Sequence, residues 1–158
     1  MRMTGMRMNL ASTALFALCA SLVLAACQSG PPKISIEGAR AELSPAVVGE
    51  AMVSMQIRND CGTDTIGGVK TDIAGANVSM HGLEGKRMVT IDMEEVMKKS
   101  TLEFKMDGTH IMISDMPKTM KEGSKFDLVL VFQKSGEVRV PLTLQSAGAM
   151  PMGHDHAM

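Results

Sequence analysis

The chain has 158 residues, with 16 Lys and Arg against 17 Asp and Glu, a mean hydropathy of +0.09, and no Trp or Tyr. A basic surface and a set of aromatic stacking residues are both missing, so the composition argues against a nucleic-acid partner. No nucleophile elbow, phosphate loop or apolar pair of carboxylates is recognisable. We therefore expect a binding protein rather than an enzyme.

The first 26 residues have the features of an export signal. Arg2 and Arg7 give a positive start without acidic residues, and an apolar run from Leu10 to Ala26 ends in small residues. This run is slightly short for a transmembrane helix and is followed by a polar, Pro-containing stretch. We predict a signal peptide over residues 1–26, which leaves a mature chain with 14 basic and 17 acidic residues, a net charge of −3.

The end of the signal is typical of a bacterial lipoprotein. Leu24-Ala25-Ala26-Cys27 has the form of a lipobox, in which Cys27 is acylated and becomes the first mature residue. An ordinary signal that leaves Cys27 as a thiol is the alternative. Stable anchoring needs more than one acyl chain, which lipoprotein modification supplies. The sequence thus predicts a periplasmic protein anchored by lipid, with Gln28 favouring the outer over the inner membrane.

The mature chain divides into a tether at residues 27–33, a domain at residues 34–145 and a tail at residues 146–158. Within the domain, apolar residues alternate with polar ones, as in Val53, Met55 and Ile57, and clusters of Gly, Asn, Asp and Ser separate the segments. This pattern predicts an all-β fold, a small antiparallel Greek-key sandwich or barrel. Cys19 is lost with the signal and Cys27 is acylated, so we expect no intrachain disulfide.

Methionine is the unusual residue, with 13 of its 17 copies in the mature chain. Met fills irregular gaps in a core, but its thioether is also a soft ligand suited to Cu(I). Position along the strands separates these roles, because side chains on a strand alternate between two faces. The predicted core set around three segments is Val78, Met80, Val89, Ile91, Met93, Ile111 and Ile113. The residues on the opposite, solvent-facing side include His81, Met88, His110 and Met112.

These four residues could share one metal ion. Six residues, Gly82 and Gly85 among them, separate His81 from Met88, so their strands are expected to form a hairpin that brings the two side by side. His110 and Met112 point the same way, about 7 Å apart. Two imidazoles and two thioethers suit Cu(I). The alternative is a set of surface His and Met residues with no common focus.

In these residues and their spacing, the chain resembles the PCu(A)C family of copper-binding domains. Met88, then 21 residues, then His110-Ile111-Met112 matches the second half of the family's pattern of His, spaced Met and His-x-Met. The resemblance covers roughly residues 36–144. Flanking segments that also agree are Met55–Asn59, Asp107–Met112, Lys121–Gly123 and Leu128–Phe132. The first His-to-Met spacing is six rather than about ten residues, an even difference that keeps both side chains on one face.

This resemblance implies a cupredoxin-like sandwich that carries Cu(I) in the periplasm through His81, Met88, His110 and Met112. It also implies a copper-A-type acceptor domain, such as that of cytochrome c oxidase, and a thiol copper chaperone as partners. An electron carrier would use a Cys beside two His, which the pattern does not offer. Two alternatives remain: a copper-sequestering lipoprotein for resistance or storage, and a structural envelope sandwich without a metal role.

The tail also combines Met and His, which suggests a second, looser copper site. The residues concerned are Met150, Met152, His154, His156 and Met158. Imidazoles with Asp155 could take Cu(II), whereas the methionines favour Cu(I). A polar tail of no metal role is the alternative. Elsewhere, Met116 and Met120 are predicted to be surface loop residues, and Cys61 is placed in a turn.

Overall fold

The computed structural model describes residues 30–148, and every regular element within that range is a β-strand. There are ten: β1 (Ile34–Leu43), β2 (Ala51–Asn59), β3 (Asp64–Thr71), β4 (Asn77–Glu84), β5 (Arg87–Ile91), β6 (Glu94–Val96), β7 (Ser100–Phe104), β8 (His110–Ser114), β9 (Lys125–Phe132) and β10 (Gly136–Gln145). No helix in this part of the chain is long and apolar enough to cross a membrane. The predicted signal peptide, Cys27 and the predicted copper-binding residues of the tail lie outside the described residues.

The strands are hydrogen-bonded in the order β5-β4-β8-β2-β1-β10-β9-β3-β6, and β7 also pairs with β2. The sheet folds over on itself as a cupredoxin-like sandwich, so the predicted all-β class is confirmed. One pair departs from the antiparallel expectation: β1 and β10 are parallel, with Ala41 opposite Leu144. A parallel pair needs a long crossover connection, and the whole chain between the first and last strands provides it.

The core consists of the alternating apolar residues between the two layers. In β2, Ala51, Val53, Met55 and Ile57 are each no more than 2% exposed, as the sequence pattern predicts. Full burial of an aliphatic side chain contributes roughly 1.5–3 kcal/mol. The same alternation buries one face of β9 and β10, so the hydrophobic pattern determines which face of each strand is left for other purposes.

Three methionines lie where the sequence did not place them. Met93, predicted to be in the core, is 60% exposed, because β5 ends at Ile91 and the alternation ends with it. Met116, predicted to be on the surface, is 6% exposed, and its backbone N–H donates to the Gly49 carbonyl at 3.0 Å, which holds the chain after β8 against the core. Met120 also packs against the core. Cys61 does follow β2 in a bend, but it is buried.

Candidate metal site

The two histidines that the sequence singled out lie directly opposite each other on adjacent strands. In the pairing of β4 with β8, His81 faces His110. Their ring centroids are 5.4 Å apart and their planes differ by 5°, so the imidazoles are stacked. We call the side of β5, β4, β8 and β2 that carries this pair the histidine face. It is the side opposite the core, where Ile111 and Ile113 are fully buried.

The expected hairpin between β4 and β5 is present, with a two-residue turn at Gly85 and Lys86. Gly85 has φ of 65°, a conformation that glycine adopts without steric cost and that suits the first position of a tight hairpin turn. Gly82 lies within β4 instead of in the turn. A Cβ on Gly82 would lie 3.2 Å from Cδ1 of Ile91, so glycine here lets β5 pack closely behind His81.

The two predicted methionine ligands flank the histidine pair from opposite sides. Met112 is half-buried and faces Ser79 on β4. Met88 is 38% exposed and faces Leu83, while the residue directly opposite His81 on β5 is Thr90. Met88 is therefore a diagonal neighbour of His81, not the side-by-side neighbour that the sequence predicted. Long side chains still interact across such a diagonal.

His110 is far less accessible than the sequence pattern indicated. It is only 4% exposed, although it lies on the face opposite the core. The cause is the turn between β7 and β8, in which Lys105 N–H donates to Thr109 O at 2.6 Å and Gly108 N–H donates to Lys105 O at 3.0 Å. This tight turn brings the Gly108 carbonyl to 2.9 Å from Nδ1 of His110. The prediction of a solvated His110 was wrong.

The bond to Gly108 sets the chemistry of the His110 ring. A carbonyl only accepts, so Nδ1 carries the proton and donates, and in the neutral ring Nε2 keeps its lone pair. No fully buried side-chain nitrogen or oxygen within residues 30–148 lacks a hydrogen-bond partner, so Nε2 reaches the surface. Metal-binding histidines commonly donate their second N–H to a carbonyl in this way. His110 is thus oriented with Nε2 as the available donor atom.

His81 is held by a more adaptable contact. Its Nε2 lies 2.9 Å from Oγ of Ser79, a hydroxyl that can rotate to donate or accept. Burial, and second the proximity of a positively charged His110, lower the pKa of His81 below its ordinary 6.5. The imidazole is therefore predominantly neutral at neutral pH, the form that a metal ion requires.

One residue of this face was missed by the sequence pattern. Met52 on β2 lies directly opposite Met112 and is half-buried. Its position one residue before the core residue Val53 was the signal that could have placed it on the non-core side. Among the described residues, no group of three or more His, Cys, Asp and Glu is arranged to hold a metal ion. The side chains that flank the histidine pair are thioethers and hydroxyls.

The LpqE-like family of lipoproteins has a family model that matches residues 34–144. No curated protein gives a significant sequence match to the chain. Solved structures give three informative matches, each below 25% identity, which establish a shared fold. The copper-bound PCuAC domain from PmoF2 is 22% identical, with a TM-score of 0.61, and the match covers 75% of this chain and 97% of that domain.

The apo form of that PmoF2 domain is 24% identical, with a TM-score of 0.62 and coverage of 77% of this chain and 96% of the domain. The solution structure of CuI-DR1885 from Deinococcus radiodurans is 20% identical, with a TM-score of 0.52 and coverage of 80% and 85%. The matches thus cover at least 75% of this chain and at least 85% of each matched chain.

Proposed function

Since this chain belongs to the LpqE-like lipoprotein family and shares its fold with PCuAC copper-binding domains, we propose that it is a periplasmic copper chaperone. It binds Cu(I) through His81 and His110, with Met88 and Met112 as thioether ligands, and delivers the ion to a copper-A-type site such as that of cytochrome c oxidase. A thiol copper chaperone is the proposed donor partner. The protein acts by binding and transfer, not by catalysis.

The stacked histidine pair is the observation that carries this proposal. Two imidazoles lie 5.4 Å apart on adjacent strands, and one of them is held by a backbone carbonyl through Nδ1. They therefore form a preorganised pair of ligands for a metal site. Ordinary structural histidines do not need to stack. Burial and the neighbouring ring lower the pKa of His81, so its imidazole is predominantly neutral at neutral pH and able to bind a metal ion.

The donors around the pair favour Cu(I) over the other common metals. Met112 lies two residues from His110 on the same strand, and Met88 reaches from the neighbouring β5. Neutral thioether sulfur is a soft ligand that adds much to Cu(I) affinity. Zinc prefers imidazole, thiolate and carboxylate, and calcium and magnesium prefer oxygen. The ligand set therefore discriminates by softness and not by charge.

The proposal extends to the segments outside residues 30–148. Cys27 carries the lipid anchor, which holds the domain at the envelope membrane, with the outer membrane favoured. The tail from Met150 to Met158 binds a second copper more weakly, as Cu(I) on its methionines or as Cu(II) on His154 and His156. A second site of this kind would pass copper to and from the histidine face without changing the fold of the domain.

A Cu(I) titration against a competing chelator tests the binding step. The mature chain, residues 27–158 with Cys27→Ser, should bind one Cu(I) tightly, and His81→Ala should remove that binding. Met97→Leu is the matched control, since Met97 is 60% exposed and lies away from the histidine face. Equal tight Cu(I) affinity of the wild-type chain and His81→Ala would contradict the proposed site, whereas no tight Cu(I) binding by the wild-type chain would leave the structural envelope role.

Transfer to an apo copper-A domain tests delivery. Loaded protein mixed with this acceptor should lose its copper, and the acceptor should develop the absorption of an assembled copper-A centre when a second copper and an oxidant are supplied. Retention of copper by the loaded protein, with tight binding intact, would instead favour the sequestering lipoprotein. The two assays together separate all three functions.

A further inference from the structure

The register of β2 against β8 adds sulfur donors to the histidine face beyond the four residues of the proposed site. Met52 faces Met112, and the next pair along, Val53 with Ile111, belongs to the core. Directly opposite residues in an antiparallel pair have Cβ atoms about 4.5–5.5 Å apart. The thioethers of Met52 and Met112 are therefore immediate neighbours on the same side of the sheet.

Met52 and Met88 have equivalent positions about the histidine pair. Met88 lies on β5, the strand next to β4, two residues from Thr90, which is the residue directly opposite His81. Met52 lies on β2, the strand next to β8, directly opposite Met112. Met112 is two residues from His110, and this displacement along the sheet is opposite in direction to that of Met88 from His81. Met88 and Met112, by contrast, are two strands and four residues apart, about 16 Å between Cα atoms in a flat sheet. Met52 is thus a closer neighbour of Met112 along the sheet than Met88 is.

A third methionine reaches the same place from a loop. Met106, in the turn that brings Gly108 to His110, is 62% exposed. It lines a surface cavity of 220 Å³ together with Met52. The remaining lining residues are Arg40, Glu42 and Ser54. Glu42 pairs with Met52 across β1 and β2, so a carboxylate stands beside the sulfur atoms, while Arg40 is the one opposing charge among the lining residues.

We propose that Met52, Met106 and Met112 form a second, all-thioether Cu(I) position that shares Met112 with the histidine site. The proposal rests on the proposed function for the identity of the metal, but its ligands are distinct. Three neutral sulfur atoms select a soft monovalent ion and release no proton on binding. Because Met112 belongs to both positions, copper moves between them by exchanging ligands one at a time, without becoming free. Met106, on the exposed loop, is the ligand that faces an incoming donor or acceptor.

Packing does not account for these side chains. Met55, on the same strand as Met52 but on the opposite face, is 2% exposed and belongs to the core. Met52 and Met112 stand outside the core cluster, and Met106 is largely in solvent. A methionine that serves as a gap filler is expected in the core, as Met55 is. Methionines that lie together outside the core, two of them on one surface cavity, are instead suited to bind a soft metal ion.

Methyl NMR of the mature chain, labelled with ¹³C at the Met ε-methyl groups, tests the assignment. Ag(I), a closed-shell stand-in for Cu(I) that does not oxidise, is added at pH 7 to the wild-type chain and to His81→Ala, in which the histidine site lacks one imidazole. The methyl signals of Met52, Met106 and Met112 should shift together, and they should still do so in His81→Ala. Met55 and Met97 serve as controls that stay in place, one buried in the core and one exposed elsewhere.

Single substitutions sharpen the result. Met52→Leu and Met106→Leu keep the size and apolar character of the side chain. In the His81→Ala background, each should lower the apparent Ag(I) affinity read from the Met112 signal by at least tenfold. Shifts confined to Met88 and Met112 in the wild-type chain would overturn the all-thioether position and leave the proposed function intact. Shifts at Met52, Met106 and Met112 with none at Met88, and an Ag(I) affinity that His81→Ala leaves unchanged, would do the reverse. A parallel shift of Met97 would show unspecific surface binding and overturn the inference.

Discussion

Asp64, Asn59 and His110 are the buried polar residues of the described chain, at 1%, 0% and 4% exposed, and they are used in different ways. Asp64 starts β3 at one end of the sandwich. Its carboxylate accepts from the backbone N–H groups of Thr65, Lys134 and Ser135 and from the Ser135 hydroxyl. It therefore fixes the turn between β9 and β10 to the start of β3.

The side chain of Asn59, at the end of β2, has an equally complete set of hydrogen bonds. Its Oδ1 accepts from the N–H groups of Lys33 and Cys61, and its Nδ2 donates to the carbonyls of Gly62 and Val96. An amide side chain has two N–H groups and one oxygen with two lone pairs, so all of its bonding capacity is used. The residue joins the start of the domain, the β2–β3 connection and β6.

His110 on the histidine face is satisfied on one nitrogen only. Nδ1 donates to Gly108, while Nε2 is left to the surface beside His81 and the thioethers. A fully bonded polar group holds the fold and has nothing left to offer a ligand. A half-bonded one is oriented by its first contact and keeps a lone pair for a second. Substitutions of the fully bonded residues should therefore affect stability, and substitutions on the histidine face should affect metal affinity, with stability lost as well where the ring is buried.

The largest effect on stability is expected at Asp64. Asp64→Ala removes the acceptor for three backbone N–H groups in a buried setting, and an unsatisfied buried donor costs about 1–3 kcal/mol. We expect a loss of about 3–5 kcal/mol in the free energy of unfolding, measured by urea denaturation, with the Cu(I) affinity of the folded fraction unchanged.

Asp60→Ala is the matched control for Asp64→Ala. Asp60 accepts from Arg58 at 2.8 Å, but both partners are exposed, and such pairs contribute about 0–1 kcal/mol. A similar loss of stability in the two variants would break the comparison, since it would mean that the complete bonding of Asp64 contributes nothing special. A drop in Cu(I) affinity of folded Asp64→Ala would mean that the two regions are coupled.

The largest effect on copper is expected at His81. Loss of a partner that only orients a ligand typically costs about 10–100-fold in metal affinity, so removing an imidazole ligand should cost more than about 100-fold. The ring is only half-buried, and the apo protein of His81→Ala should stay within about 1 kcal/mol of wild type. Chelator competition and urea denaturation of the same preparation measure both.

His110→Ala provides the contrast, because it should lose both properties. Its ring is 4% exposed, so truncation leaves a cavity, and large-to-small changes in buried positions typically cost about 2–5 kcal/mol. If His110→Ala is as stable as His81→Ala, the β7–β8 turn does not pack over His110 as closely as the structure shows.

A smaller effect is expected when sulfur is removed without loss of volume. Met112→Leu keeps the apolar bulk and should lower Cu(I) affinity by about tenfold, while Zn(II) affinity changes little because zinc gains little from a thioether. Met88→Leu should have a weaker effect than Met112→Leu, since Met88 is only diagonal to His81. Met93→Leu is the control, since Met93 is 60% exposed and its sulfur accepts a hydrogen bond from Gln133. An equal fall in Cu(I) and Zn(II) affinity would exclude both sulfur atoms as ligands.

Strand faces were the part of the structure that the sequence predicted well. Val53, Met55 and Ile57, and Ile111 with Ile113, are buried as the alternation required, since a strand has a strict period of two. The same parity put His81, His110 and Met112 on one side. Where strands end, parity carries no information, and this is why the exposures of Met93 and Met116 were predicted wrongly.

The strand register and the burial of His110 by the β7–β8 turn were the features that the sequence did not predict. Nothing local specifies that Met52 faces Met112, because that pairing depends on which strands become neighbours in a sheet whose order is far from the chain order. The burial of His110 depends on hydrogen bonds within the turn at residues 105–109, and loop conformation is weakly encoded in hydrophobic pattern. A residue directly opposite His81 and a residue diagonal to it differ by two residues in strand register. The six residues between His81 and Met88 do not determine which of these registers the hairpin adopts.

The smallest expected effect concerns protons in the apo protein. Burial and the neighbouring His110 lower the pKa of His81 below 6.5 in the folded state, so between 6.5 and that lower value the unfolded chain binds more protons at this residue. Stability contributed by His81 is therefore lost as pH falls below 6.5, and above 6.5 the group has no effect. Urea denaturation from pH 7 to pH 5 should show a shallower decline for His81→Ala than for wild type.

Taking the difference between the two proteins isolates His81 from other titrating groups. Burial raises the pKa of Glu94, which gives the opposite dependence above its ordinary 4.5, but this contribution is present in both proteins and cancels. The same lowered pKa keeps His81 available to Cu(I) below pH 6.5, so copper affinity should fall later on acidification than an unperturbed imidazole would allow. Identical pH dependence of stability in wild type and His81→Ala would mean that neither burial nor the neighbouring ring lowers the pKa of His81, and the histidine face would lose its electrostatic distinction from the fully bonded end of the sandwich.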